Sequence, residues 1–284
     1  MATFQNQATL TYNGVTRSSN VVSGELLETL TVTKTAAEGT YSAGSDVTYA
    51  VSLVNSGTID FTGLTLTDDL GAYTNGTLTL VPLDYVDGSV LYYVGGALQA
   101  TPTVSTSTGE LVISGISVPA GGNAMIVYVT RANAYAPPIE GSTVTNTVTV
   151  SGGGITPVMA SETISVATDA ELSIVKSASP LNVPENGNIT YTFALYNSGN
   201  TETTEEGNPV ISDVFDPILS DITVTLDGVA LAEGTGYTYD EATGEFSTAD
   251  GAITVPAAKY TQDETTGAWT ADPGSVVLTV SGTV

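Results

Sequence analysis

The chain has 284 residues, enough for two domains of ordinary size, and a hydrophobic share of 41% supports real cores rather than disorder. It contains no Cys and no His, which excludes disulfides, thiolate metal sites and every Ser-His or Cys-His catalytic arrangement. Five Lys and Arg against 30 Asp and Glu leave a formal charge of -25, which repels nucleic acid and anionic membranes and otherwise reads as a solvated surface.

The first residues, Met-Ala-Thr-Phe-Gln-Asn-Gln, hold no basic segment followed by an apolar one, so they do not read as a secretory signal peptide. Phe4 to Tyr12 alternates and reads as a strand carrying Phe4, Asn6, Ala8, Leu10 and Tyr12 on one face, with Asn13 at the turn beyond it. Further along come Leu30–Lys34, Val47–Val54, Leu64–Thr67, Ala124–Val129, Thr143–Val150, Leu172–Lys176, Ile189–Tyr196 and Ser275–Val280. All are rich in Val, Ile, Thr and Tyr with a period of two, and Gly, Asn, Asp and Pro punctuate them. Nothing sustains a helical period for ten residues, and no apolar run is long enough to span a membrane. The pattern predicts an all-β chain of two tandem Ig-like antiparallel β-sandwiches.

The two halves repeat each other. Lys34 to Tyr49 and Lys176 to Tyr191 have one spacing, as do Tyr49 to Asn55 and Tyr191 to Asn197, and both asparagines open an Asn-Ser-Gly tripeptide. Asp68 and Asp213 follow at similar distances, then Val118-Pro-Ala and Val255-Pro-Ala. The first half closes with Thr-Asn146-Thr-Val-Thr-Val, and the second half shows no such segment before Val284. A matching segment, Asn6-Gln-Ala-Thr-Leu-Thr, precedes the first half instead. Three domains are therefore expected: a donor strand and linker over 1–23, a complete sandwich over 24–160, and an incomplete one over 161–284. The N-terminal strand of a neighbouring subunit would close the incomplete one, giving a head-to-tail homopolymer.

Two of the three Lys, Lys34 and Lys176, sit at equivalent positions in apolar first strands, where an inward amine needs a partner or must lose its charge. Asp68 and Asp213 are the natural partners, with Asp69 competing for the first role. A neutral amine beside an Asn side chain, with a protonated Asp polarising the amide carbonyl, can form an amide bond and expel ammonia.

On these residues the chain resembles a known group. Leu-Thr-Val-Thr-Lys34, Asp46-Val-Thr-Tyr49, Asn55-Ser-Gly, Leu-Thr-Asp68-Asp-Leu and Thr-Asn146-Thr-Val are similar to the bacterial surface repeats called domain of unknown function eleven, and to isopeptide-forming fimbrial domains. The length and the two repeats also resemble endospore appendage subunits. The resemblance implies a Lys34–Asn146 cross-link assisted by Asp68 in the first half. In the second it implies Lys176 with Asp213 and an Asn from elsewhere, for which Asn6 of a neighbour is the matching position. Gln5 and Gln7 compete with Asn6 but fall on the other face.

The expected function is a structural subunit of an extracellular or spore-surface filament, with no cofactor, no metal site, and no enzymatic activity beyond self-cross-linking. The alternative is a monomeric surface stalk or adhesin, in which each Lys snorkels and pairs with its Asp as an ordinary ion pair. The acidic stretches Thr201–Glu206 and Asp263-Glu264 lack the spacing of a calcium loop and read as solvated loops. Trp269 reads as a hairpin aromatic.

Overall fold

The computed structural model describes residues 2–26, 29–106, 109–204 and 207–284. It is all-β, with no α-helix among the described residues. An N-terminal ribbon comprises β1 (Ala2–Asn6), β2 (Thr9–Tyr12), β3 (Val15–Ser18) and β4 (Val22–Leu26). The first sandwich follows with β5 (Leu30–Ala36), β6 (Thr40–Tyr41), β7 (Asp46–Asn55), β8 (Phe61–Asp68), β9 (Tyr73–Asn75), β10 (Leu78–Leu80), β11 (Leu83–Tyr85) and β12 (Leu91–Val94). It continues with β13 (Ala97–Leu98), β14 (Thr103–Ser105), β15 (Leu111–Val118), β16 (Asn123–Ala132), β17 (Thr143–Gly152) and β18 (Val158–Val166). The second sandwich holds β19 (Leu172–Ser179), β20 (Asn188–Asn197), β21 (Ser212–Val214), β22 (Ser220–Leu226), β23 (Val229–Ala230), β24 (Tyr237–Tyr239), β25 (Glu245–Thr248), β26 (Lys259–Gln262), β27 (Trp269–Asp272) and β28 (Gly274–Thr283). The chain divides into two compact units, residues 1–133 with 143–164, and residues 134–142 with 165–284.

In the first unit one sheet runs β13-β12-β16-β7-β5 and the facing sheet runs β14-β15-β8-β17-β18-β6. The alternation seen in the sequence is the alternation of burial: Val47, Tyr49, Val51 and Leu53 of β7 all point inward, against Leu64, Leu66, Ile113, Val148 and Val150 from the other sheet. In the second unit the order β19-β20-β28-β22-β23 reproduces the first sheet, and β21-β25-β24 reproduces β8-β15-β14. The registers agree as well. Lys34 faces Val51 and Lys176 faces Phe193, a shift of 142 residues in both strands. Phe193, Phe215, Phe246, Leu278 and Val280 form the heart of this second core.

The repeated Asn-Ser-Gly tripeptide has a structural role. Asn55 is buried, its amide nitrogen donates to the carbonyls of Ile59, Val118 and Pro119 at 2.8, 3.2 and 3.1 Å, and its side-chain oxygen accepts from the Gly57 N–H at 2.9 Å. Asn197 does the same with the Thr201 carbonyl at 2.7 Å and the N–H groups of Gly199 and Glu171 at 2.9 and 3.0 Å. Each asparagine ties the end of a central strand to a neighbouring loop, and Asn55 alone reaches the Val-Pro-Ala segment of its half, through the Val118 and Pro119 carbonyls.

The N-terminal segment is a β-ribbon rather than one strand followed by a linker. β2 turns into β3 at Asn13-Gly14, whose φ values of 47° and 75° suit a tight two-residue hairpin. The chain then returns along itself, so that Phe4 pairs with Gly24 and Asn6 with Val22. The linker read over 13–23 is thus the second arm of a hairpin. Phe4, Leu10, Tyr12, Val15, Val21 and Val22 are all exposed.

Asn55→Ala is expected to cost the first sandwich at least about 2 kcal/mol, because several buried backbone groups lose partners at once. Asn197→Ala should do likewise in the second. Chemical denaturation followed by two-transition fitting measures both, and a loss below experimental error at either site would show that the tether carries no load.

Candidate functional site

Three strands turn the three predicted residues into the core of the first sandwich, and the structure pairs two of them, Lys34 and Asp68. β5 turns Leu30, Val32 and Lys34 inward, leaving Lys34 4% exposed. β8 ends on Asp68, and β17 turns Val144, Asn146 and Val148 inward. Asp68 and Asn146 have no exposed surface. The Lys34 ammonium donates to Asp68 Oδ2 at 2.5 Å, and the Tyr128 hydroxyl donates to the same oxygen. Asp68 Oδ1 accepts from the Leu70 N–H at 2.8 Å. Lys34 Nζ lies 4.5 Å from the centre of the Tyr49 ring and 5.9 Å from that of Tyr128. Burial pushes the Lys34 amine down from its ordinary value, while the Asp68 charge pulls it partly back. Burial pushes the Tyr49 and Tyr128 phenols up.

Asn146 is the anomaly of this core. Its amide sits beside the Tyr49 hydroxyl, yet the amide nitrogen, the amide oxygen and that hydroxyl all lack a hydrogen-bond partner. The Tyr49 hydroxyl is near enough for the amide to offset part of that phenol's upward shift, but neither group reaches a well-formed bond, and a buried amide left so costs on the order of 2 kcal/mol. Asp69, the competitor for Asp68, is occupied otherwise. Its carboxylate accepts from the N–H groups of Thr147 and Gly71, both at 2.9 Å, so it fastens β17 from outside the pocket.

The second sandwich has the same pair in a different setting. Lys176 is bonded to Asp213 and sits 4.9 Å from the Tyr191 ring centre, with Phe193 and Phe215 next at 5.4 and 5.7 Å. Its side chain is nevertheless 44% exposed. Its strand neighbours Leu172 and Ile174 are 41% and 54% exposed, where their counterparts Leu30 and Val32 are 6% and 7%. The cause lies in the opposite sheet. β8 is flanked by β15 on one side and β17 on the other, whereas β21 pairs with β25 alone among the described residues. A shallow groove lies across this short sheet, lined by Asp213 and Val214 of β21, Phe246 and Ser247 of β25 and Thr238 of β24. Val280 occupies the place of Tyr128, so Asp213 receives no phenol.

Asn6, Ala8, Leu10 and Tyr12 all lie on the ribbon and are exposed, as is Phe4. The two tyrosines lining the first pocket were not singled out in the sequence. The spacing that joins Tyr49 to Tyr191 carried the signal for one of them, and Tyr128 is hidden in an ordinary apolar strand. Among the described residues no cluster of three acidic groups could hold a metal ion. Glu205 and Glu206 of the acidic stretch 201–206 lie outside the described residues, and Asp263 caps its own turn through Thr265 and Thr266. Trp269 stands on β27 opposite Gln262, a hairpin position.

No family model and no curated protein matches this chain. Among solved structures it is similar to the major pilin subunit of Bacillus cereus at 10% identity, covering 96% of this chain and 73% of that one with a TM-score of 0.38. It is also similar to a 35 kDa C-terminal fragment of the major pilin GBS80 of Streptococcus agalactiae, at 11% identity, 81% and 79% coverage and a TM-score of 0.36. A third is the N-terminal domain of the Streptococcus gordonii adhesin Sgo0707, at 13% identity and a TM-score of 0.37. There the match covers 54% of this chain and spans only 36% of the other's length. Likeness at this level assigns no function.

Lys34→Ala leaves the Asp68 carboxylate buried without its cation and should destabilise the first sandwich by about 3–5 kcal/mol, whereas the double change Lys34→Met with Asp68→Leu should be far milder. Urea denaturation of the two variants gives the comparison. Equal losses would mean that Asp68 does not depend on Lys34.

Proposed function

We propose that this chain is a structural subunit of an extracellular bacterial filament, carried on a cell or spore surface, whose copies join head to tail. The N-terminal segment of one copy completes the second sandwich of the next by adding to the free side of β21. The observation that carries this reading is the contrast between equivalent strands: β8 is paired on both sides and covers Lys34, while β21 is paired on one side and leaves Lys176 in solvent. An unpaired strand side, next to apolar side chains of β19 left in water, is a template for another strand. The segment with the repeat pattern of β17 is Phe4 to Tyr12, and its apolar face is exposed. The contact is heterologous, so it propagates rather than closes.

The Lys–Asp–Asn trio adds covalent strength. In the buried pair a proton passes from the Lys34 ammonium to Asp68, leaving a neutral amine and a carboxylic acid that the dry pocket tolerates better than two charges. The amine nitrogen attacks Cγ of Asn146 while the Asp68 acid donates to its carbonyl oxygen. The C–N bond to the leaving nitrogen breaks, the proton released from Nζ returns through Asp68, and ammonia departs. One amide is exchanged for another, with no oxidant and no cofactor. Fixed proximity supplies the rate, since well-oriented groups reach effective molarities on the order of 10⁵ M. The unbonded Asn146 amide is the electrophile this chemistry needs. In the second sandwich Lys176 and Asp213 wait for Asn6 of the incoming copy. The protein needs no other substrate and performs no other catalysis in this reading.

Intact mass measurement tests the internal bond. The monomer should be lighter than its sequence by one ammonia, and Lys34→Ala or Asn146→Ala should restore the full mass; a wild-type chain at full mass has no such bond. Negative-stain microscopy tests the assembly. The full chain should give filaments and a chain lacking residues 1–12 should give none, with long filaments from the truncated chain ruling the model out. At the joint, Lys176→Ala, Asp213→Ala and Asn6→Ala should each reduce a detergent-resistant ladder to a single band. A single band already in the wild type would leave the joint noncovalent.

A further inference from the structure

The incoming element need not be one strand. From the pairing of the N-terminal ribbon we infer that it is a preformed two-stranded hairpin, residues 2–26, and that it docks as the equivalent of the whole β17–β18 pair. This rests on the head-to-tail reading above and specifies its occupant. In the first sandwich the hydroxyls of Thr145 and Thr163 meet at 2.8 Å and those of Thr147 and Ser161 at 3.2 Å, so Asn146 stands opposite Glu162. In the ribbon Gln5 stands opposite Ser23 and Asn6 opposite Val22. Subtracting 140 from Thr145 and Thr163 gives Gln5 and Ser23, and from Asn146 and Glu162 gives Asn6 and Val22. Over the β1–β4 part of the ribbon both arms therefore share one offset and one pairing register with β17–β18; beyond it, β2 and β3 pair one residue out of that register. A single donor strand with a following linker has no reason to keep the offset in its second arm.

The apolar faces agree. Val144, Asn146, Val148 and Val150 turn inward on β17, and the same offset gives Phe4, Asn6, Ala8 and Leu10. Inward Ile164 on β18 corresponds to Gly24, and the Phe4 ring fills the space there: a Cβ on Gly24 would lie 2.5 Å from it. The larger residue on one arm is matched by the smaller on the other. Chain order agrees too. β18 leads within a few residues into β19 as β4 leads into β5, so each hairpin precedes one sandwich and completes the sandwich before it. The occupant is thus a second copy, whose hairpin follows the second sandwich of its neighbour as β17–β18 follows the first sandwich within a chain. Register transfers directly. Thr67 faces Thr149 on the outer side of the sheet, which places Thr9 of the incoming copy opposite Ser212.

Because the chain contains no Cys, paired cysteines test this cleanly. Gln5→Cys with Ser23→Cys locks the hairpin shut within one copy. Filament growth by the oxidised variant should match the wild type, by light scattering and microscopy, since the element docks closed. If the oxidised variant stays monomeric and the reduced one polymerises, one arm must peel away, and the hairpin inference falls while strand donation stands. If neither state and no wild-type chain polymerises, the head-to-tail reading itself falls. Thr9→Cys with Ser212→Cys reads the register. With Asn6→Ala added to remove the isopeptide ladder, oxidation of this pair should link successive copies into ladders that a reductant dissolves, whereas Thr11→Cys with Ser212→Cys on the same background should not; equal or reversed yields would overturn the assigned register.

Discussion

A β-strand inside a sheet has two rows of backbone groups, and each row must find a partner or stay in water. In the first sandwich β8 meets this condition with β15 and β17, and everything buried around Lys34 follows from it. β17 supplies Val148 and Val150 to the core and turns Asn146 inward among them. Where the corresponding partner is missing, on β21, the same Lys–Asp pair is left half in solvent and apolar side chains on β19 face water. One strand's pairing decides whether the repeated Lys–Asp pair is dry or half in solvent.

Burial changes what the pair can do. Two charges at hydrogen-bond distance attract in any medium, but in a dry core their desolvation cost erodes the gain, and proton transfer within the pair becomes cheap. Lys34 and Asp68 have no side-chain exposure, and desolvation already lowers the amine. Lys176, at 44% exposure, is not held in such a dry setting. A closing element laid along β21 would remove the surrounding water and deliver an amide in the same step. Assembly and activation are then one event, and a free subunit stays inert.

Much of this was legible from residue order. Period-two alternation marked the principal strands, and the repeat aligned Lys34 with Lys176 and Asp68 with Asp213 in the registers the strands adopt. The Asn-Ser-Gly tripeptides were visible as markers, but their function was not, because the carbonyls that Asn55 ties lie more than sixty residues away in β15 and its loop. The choice between Asp68 and Asp69 needed the sheet's facing: alternation cannot tell which of two adjacent carboxylates turns inward at a strand's end. The pocket tyrosines escaped for a similar reason. Tyr128 looks like any aromatic on a pleated strand until the opposing sheet places Asp68 under its hydroxyl. The second arm of the N-terminal hairpin was missed because Val15–Leu26 carries only weak alternation. Its turn residues, Asn13-Gly14, were the available signal.

In order along a filament, hairpin and sandwich would alternate without interruption, with a period near 140 residues that ignores where one chain stops and the next starts. What changes at the joint is only the loss of a peptide connection. Inside the chain the β17–β18 hairpin is tethered to its sandwich by the loop after β16, and a short tether holds it at millimolar effective concentration or above. Between chains that tether is absent, and subunits of charge -25 repel each other on approach. The opposing terms are the backbone bonds along β21 and the apolar area that Phe4, Ala8 and Leu10 would cover, at about 25 cal/mol per Å². A bond from Asn6 to Lys176 would restore the missing covalent connection at the one place the repeat lacks it. In the proposed filament that bond would lie where a pull would otherwise separate two copies.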